Sequence, residues 1–121
     1  MRIKKTSQYI EGGAGLPSYF TEEIDTGMKW IDGKPIYRKC YQYTKSTTSG
    51  NVMIDTISNL DVIVNCQTYL IRSDGYKSIN NFYASSSDMA TIYVNPNNRI
   101  EFTAPFTGTL YVVLEYTKTT D

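Results

Sequence analysis

Met28-Lys29-Trp30-Ile31-Asp32-Gly33-Lys34-Pro35-Ile36-Tyr37-Arg38-Lys39-Cys40-Tyr41-Gln42-Tyr43-Thr44 is the stretch that decides the fold. Met28 to Ile31 is a short, mainly apolar run. Asp32-Gly33-Lys34-Pro35 follows it and reads as a turn, since Asp-Gly supplies residues that tolerate the left-handed backbone region. Ile36 to Thr44 then alternates strictly. Tyr37, Lys39, Tyr41 and Tyr43 fall on one face, and Ile36, Arg38, Cys40 and Gln42 on the other. Two extended runs flanking Asp-Gly predict a β-hairpin.

The same grammar continues downstream. Lys45 to Gly50 is a Ser/Thr loop, Asn51 to Ile57 a strand, and Ser58-Asn59 a turn. Leu60 to Arg72 carries apolar residues at both parities, which predicts a central strand buried on both faces. Ser73-Asp74-Gly75 turns again, and Lys77 to Ala84 is a weaker strand. Ser85 to Asp88 is a loop, and Met89 to Val94 a strand. Asn95-Pro96-Asn97-Asn98 is a turn. Arg99 to Ala104 places Ile100 and Phe102 inward, and Pro105 to Gly108 turns. Thr109 to Thr117 is the last strand, with Leu110, Val112, Leu114 and Tyr116 on one face. No segment sustains a helical period. About eight strands spaced by roughly ten residues predict an all-β, antiparallel two-sheet sandwich, jelly-roll-like in winding. Upstream, Glu11-Gly12-Gly13-Ala14-Gly15 reads as a joint. Residues 1–15 are thus expected to be an arm or linker, and 16–121 the sandwich domain.

Composition narrows function by exclusion. The 121 residues are 40% hydrophobic and 20% charged, a globular mixture. Twelve basic and twelve acidic side chains cancel, so no net field steers the chain to nucleic acid or an anionic membrane. Histidine is absent. That removes the commonest general base and metal ligand, and with it the Ser-His-Asp and Cys-His chemistries. Cys40 and Cys66 are too few for a Cys-only zinc site, and are expected to be reduced, buried and unreactive. No cofactor, metal or catalytic residue is expected.

Individual residues have modest readings. Trp30 is expected to pin the hairpin from the core, not to stack on a sugar. Asp32 is a turn aspartate that caps its own backbone. Glu22, Glu23 and Asp25 read as a solvated acidic run. Asp55, Asp61, Asp74 and Asp88 could supply a carboxylate pair for glycan hydrolysis, but no spacing nominates two of them. The eleven tyrosines invite more attention. Tyr76 and Tyr83, interleaved with Asn80 and Asn81, combine rings with amides, which suits glycan or protein recognition. Ordinary cross-strand pairing or a subunit interface is the reading placed ahead of recognition.

Two segments carry a family resemblance. Trp30-Ile31-Asp32-Gly33-Lys34-Pro35-Ile36-Tyr37-Arg38-Lys39 resembles a hairpin found at the C-terminal ends of bacteriophage tail-fibre, baseplate and other virion appendage proteins. Leu114-Glu115-Tyr116-Thr117-Lys118-Thr119-Thr120-Asp121 is similar to the same family's terminus. Tyr19 to Gly27 and Ser58-Asn59-Leu60-Asp61 echo its lead-in and an internal turn. The middle, Thr68 to Arg99, departs from the pattern. The resemblance implies a non-enzymatic virion protein, made in the bacterial host cytoplasm: the terminal domain of a tail fibre or similar appendage, homotrimeric, joined to other virion proteins, and contacting a host surface glycan or protein. A head-fibre or fibre-trimerisation module is the alternative. Under this resemblance Trp30, Asp32, Gly33, Pro35 and Tyr37 are framework, and Asp74 to Asp88 is the contact segment.

Overall fold

The computed structural model describes residues 18–48, 50–80, 82–83 and 89–121. The arm expected over residues 1–15 lies outside them. All regular structure among them is strand: β1 (Ile24–Lys29), β2 (Pro35–Lys45), β3 (Asn51–Thr56), β4 (Leu60–Arg72), β5 (Lys77–Ile79), β6 (Phe82–Tyr83), β7 (Met89–Val94), β8 (Arg99–Thr103) and β9 (Gly108–Lys118). They form two sheets, β1-β2-β9-β4-β5 and β3-β8-β7-β6, with every pairing antiparallel.

The hairpin that opened the sequence forms between β1 and β2. Trp30 N donates to Lys34 O, and Gly33 N to Trp30 O, both at 2.9 Å. Asp32 Oδ1 accepts from Lys34 N at 3.0 Å. Gly33 sits at φ +87°. Trp30 itself is only half-buried and lies outside the core, while Ile31 is 90% exposed at the turn's tip. The turn is therefore held by backbone and Asp32 bonds rather than by a core tryptophan.

Alternation builds the core. Leu110, Val112, Leu114 and Tyr116 of β9 are at most 3% exposed and face Ile100 and Phe102 of β8, each 1% exposed. Leu70, Leu60, Ile57, Ala90 and Ala104 complete the cluster, with Tyr37 and Tyr41 of β2 packed on its flank. A buried aliphatic or aromatic side chain contributes about 1.5–3 kcal/mol of transfer free energy, so this two-sided row dominates stability. β4 departs from expectation. Register shifts at Ile63 and Asn65 interrupt its pairing with β9, and in its first two thirds only Leu60 is buried. The bulged backbone turns part of the apolar run toward an open cleft, so β4 is central in the sheet but is not buried on both faces.

The winding is half that of a jelly roll. A jelly roll folds one long hairpin on itself, pairing chain-distant strands from the outside inward. Here β2 pairs with β9, and β3 with β8. After that the inward pairing stops: β4–β5, β6–β7 and β7–β8 are local pairs.

Three of the segments that resembled the appendage family converge at one end. Lys34 Nζ meets Asp61 Oδ2 at 2.7 Å, Val62 N donates to Thr117 Oγ1 at 3.2 Å, and Thr119 N donates to Asn59 O at 2.8 Å. On the adjoining β2–β9 ladder, Arg38 grips Glu115 Oε2 through Nε at 2.8 Å and Nη2 at 2.6 Å. Glu23, expected to be solvated, accepts from the Tyr116 hydroxyl and Lys118.

Candidate functional site on the outer face of the five-stranded sheet

Of the four residues singled out by sequence, Tyr76 and Asn80 are described, and they stand apart. Tyr76 is 70% exposed in the β4–β5 turn, with the Arg72 guanidinium 5.5 Å from its ring centroid. Asn80 lies beyond the other end of β5. At about 3.3 Å per residue the two are more than 10 Å apart along the strand. Asn80 is also committed to the backbone. At φ 61° it accepts from Thr68 N through Oδ1 and donates its own N–H to Thr68 O, both at 2.8 Å. It closes the β4–β5 ladder instead of presenting a free amide. Asn81, the Tyr83 side chain and the loop to Asp88 lie outside the described residues. Tyr93 is bound to its own sheet: it accepts from Asn51 Nδ2 at 2.9 Å and donates to Glu101 at 2.7 Å, a bond that raises its pKa. Among the described residues, the exposed tyrosines are thus spread over the molecule and are not clustered at one tip.

What the structure assembles instead is a sheet face. Residues of β9 that alternate with the buried row point outward: Thr109, Tyr111, Val113 and Glu115. Register places Gln42 and Tyr69 on either side of Tyr111, and Cys40 and Gln67 on either side of Val113. The Tyr69 and Tyr111 rings lie tilted at 6.2 Å, a favourable separation for an aromatic pair. Gln42 Nε2 donates to the Tyr111 hydroxyl at 3.3 Å. Ile79 of β5 stands 70% exposed beside Tyr69. Between these residues runs a shallow hollow of about 230 Å³ that Asn80 also lines. The signal was in the last strand: Tyr111 and Val113 make β9 apolar on its second face as well.

A second recess lies between the sheets. Ile63, Cys66, Ile92, Val94, Ile100 and Leu114 are among the residues around an apolar cleft of about 280 Å³. Cys66 is exposed on the cleft's open side, contrary to the expectation of burial. The hydrocarbon walls nevertheless desolvate its thiol and raise the pKa. Cys40, half-buried, faces outward opposite Val113, and Cys66 faces inward opposite Leu114. The two free thiols therefore stand on opposite faces of the sheet.

The carboxylates are individually neutralised. Asp55 accepts from Lys39 at 2.8 Å and from Tyr41 at 2.7 Å. Burial works to raise its pKa, but the bonds from Lys39, Tyr41 and Thr56 N outweigh it and lower the pKa. The Lys34 hydrogen bond likewise lowers Asp61. Asp74 pairs with Arg72 at 2.8 Å. Asp88 lies outside the described residues. Asp55 and Asp61 are thus held as carboxylates, and among the described residues no three metal-ligating side chains form a cluster. Comparison of the chain with protein-family models, curated proteins and solved structures finds no match in any of the three.

Proposed function

We propose that this chain is a non-enzymatic structural domain of a bacteriophage virion appendage, the end of a tail fibre or a similar part, and that it packs against identical copies through the outer face of the five-stranded sheet. The observation that carries the packing is the Tyr69–Tyr111 pair on one sheet face with Ile79, Val113 and Cys40. Tyrosine and aliphatic side chains are the composition of interface centres. The Arg38–Glu115 ion pair on that face is internally satisfied. A symmetric face of about 800 Å² per copy would be enough for a stable assembly. The virion assignment rests on the resemblance of Trp30–Lys39 and Leu114–Asp121, whose residues brace one another in space as a framework should.

Light scattering at micromolar concentration is expected to give a trimer. Tyr111→Lys combined with Ile79→Lys should give a monomer of unchanged circular dichroism. A parent protein that is monomeric would sink the packing. The virion assignment is checked separately by the flanking genes, which are expected to encode head or tail structural proteins; a neighbourhood of metabolic enzymes would reject it. A host-contacting role is the second reading, favoured by the exposure of Tyr76. Tyr76→Ala should then reduce adsorption to host cells while leaving the trimer intact.

A further inference from the structure

One side of the sandwich is closed along only part of its length. β5 runs beside β4 between Tyr69 and Ile71, and Asn80 ends that pairing at Thr68 through its own N–H and its Oδ1. β6 runs beside β7 at Met89 and Ala90. Between Asn80 and Phe82 the chain passes from the first sheet to the second. Beyond that crossing, Leu60 to Gln67 of β4 has no neighbouring strand on the side away from β9, among the described residues. Thr91 to Val94 of β7 likewise has none on the side away from β8. The apolar cleft of about 280 Å³ opens between these two stretches.

The two edges differ. That of β4 is broken by the register shifts at Ile63 and Asn65, and a bulged edge is a poor template for a further strand. β7 pairs with β8 in unbroken register from Thr91 to Val94. Asn95 N donates to Arg99 O across that hairpin at 2.9 Å. In the antiparallel alternation Tyr93 then also bonds toward β8, and the N–H and C=O groups of Ile92 and Val94 point to the vacant side. Their side chains point inward and pack on the core. With them, Ile100 and Leu114, 1% and 3% exposed, line the cleft. A regular strand edge therefore runs along the mouth of a hydrocarbon pocket, and an extended backbone is what such an edge pairs with.

We propose that β7 takes up an extended segment of another protein, antiparallel to it in the lane of β6, with two alternate aliphatic side chains seated in the cleft. Main-chain bonds to Ile92 and Val94 supply affinity, and the cleft supplies selectivity. Residues bonded opposite Ile92 and Val94 project to the same face of the sheet, and so into the cleft. An apolar cavity of about 150 Å³ holds a benzene ring, so this one has room for two aliphatic side chains. A charged side chain would be desolvated there without a partner. An edge strand of a second copy does not supply the segment: Val52 and Ile54 of β3 pack on their own core, and Thr26 of β1 is buried. The site is independent of the face proposed for packing and of the virion assignment.

The two thiols read the test, since Cys66 lines the cleft and Cys40 stands on the opposite face of its sheet. The full-length protein is alkylated with and without capped heptapeptides. Each has lysine at both ends, threonine between, and valine, isoleucine or leucine at the third and fifth positions. At least one peptide is expected to slow Cys66 about ten-fold in a saturable way, leave Cys40 unchanged, and shift the amide resonances of Ile92 and Val94. Serine at the third and fifth positions keeps the backbone and removes the anchors. Methylating the nitrogens of those two positions keeps the anchors and removes the donors. Either change is expected to abolish protection. Val94→Pro removes an outward N–H without touching the β8 ladder, and is expected to abolish protection with folding verified by Tm. The methylated peptide carries the same test should that variant unfold. No protection by any parent peptide, or protection that methylation leaves intact, overturns strand addition. Equal protection by the serine peptide overturns the role of the cleft. A Cys66 unreactive in the protein alone, even in alkaline buffer, shows a cleft filled by this chain or its copy and overturns the assignment to another protein.

Discussion

At the scale of single residues, two glycines show how different constraints produce the same letter. Gly33 has open space around the position of a Cβ, yet sits at φ +87°. Gly108 has an ordinary φ and no space, because a Cβ would stand 2.5 Å from Ile71 O. Gly33→Val should cost about 1–3 kcal/mol through backbone strain alone, read as a lowered denaturation midpoint. Gly108→Ala should cost a similar amount by pushing β9 from β4, and should also perturb amide shifts at Ile71. The Asp-Gly turn was legible in sequence because its chemistry is local. The need for Gly108 was not, because the clashing carbonyl is 37 residues away in the chain. The same holds for Glu23, whose partners Tyr116 and Lys118 lie at the far end of the chain. Thiol reactivity follows position too. Alkylation of the native protein should label Cys66 before Cys40, and both only slowly near neutrality. Burial raises the pKa of each, and the thiolate is the nucleophile. Equal labelling would contradict the open cleft.

At the scale of elements, strand positions were readable because each strand is bounded by its own turn chemistry, and the limits read for β4, Leu60 to Arg72, are those observed. The environment of a strand was less readable. Apolar residues at both parities in β4 look like two-sided burial, but bulges at Ile63 and Asn65 divert them to the cleft, and bulges have no clear local signature. A subunit interface was read from the tyrosines, but the residues of the candidate face were not named, for a related reason. Loops were expected to carry recognition, whereas the outward-facing Tyr69–Tyr111 pair belongs to the interiors of β4 and β9. Tyrosines also tie elements together by hydrogen bonds to carboxylates. Burial, with the bond to Asp55, strongly raises Tyr41; burial, with the bond to Glu23, strongly raises Tyr116. Tyr37 is pushed up to about 12, chiefly by a hydrogen bond to Asp121. A tyrosine whose folded pKa is raised contributes stability that is fully present below its unfolded pKa near 10 and lost as pH rises through the folded value. Tm should therefore hold up to about pH 10 and fall steeply between there and pH 12, and Tyr41→Phe should flatten that fall. At the acid end the sign reverses. The lowered pKa of Asp55 gives stability that is present above its unfolded pKa near 4 and lost as pH falls through the folded value. Asp55→Asn should cost about 1–2 kcal/mol at neutral pH, because it removes the charge that Lys39 pairs with and leaves one amide oxygen where two carboxylate oxygens accept from Lys39, Tyr41 and Thr56 N.

At the scale of the whole molecule, the sandwich is held by one row. β9 pairs with both β2 and β4 and supplies four core side chains, so Leu110→Ala, at 0% exposure, should cost about 2–5 kcal/mol. The comparable change at Ile79, on the outer face, should cost well under 1 kcal/mol. The class of the fold was legible in sequence, because period-2 alternation and turn spacing are local. The order of strands was not, since which strand lies between which depends on packing across the molecule. That order bears on how the protein is born. β9 is the ninth strand in chain order, yet it occupies the middle of its sheet. As the ribosome makes the chain, β2 and β4 emerge with the place between them vacant, two adhesive edges without the strand that separates them. The sheet closes only after residues 108–118 have been synthesised, so this domain folds late and nearly all at once. A nascent chain stalled before Gly108 should be digested by protease as readily as an unfolded one, while a stall far enough past Lys118 to free β9 should give resistance in a single step.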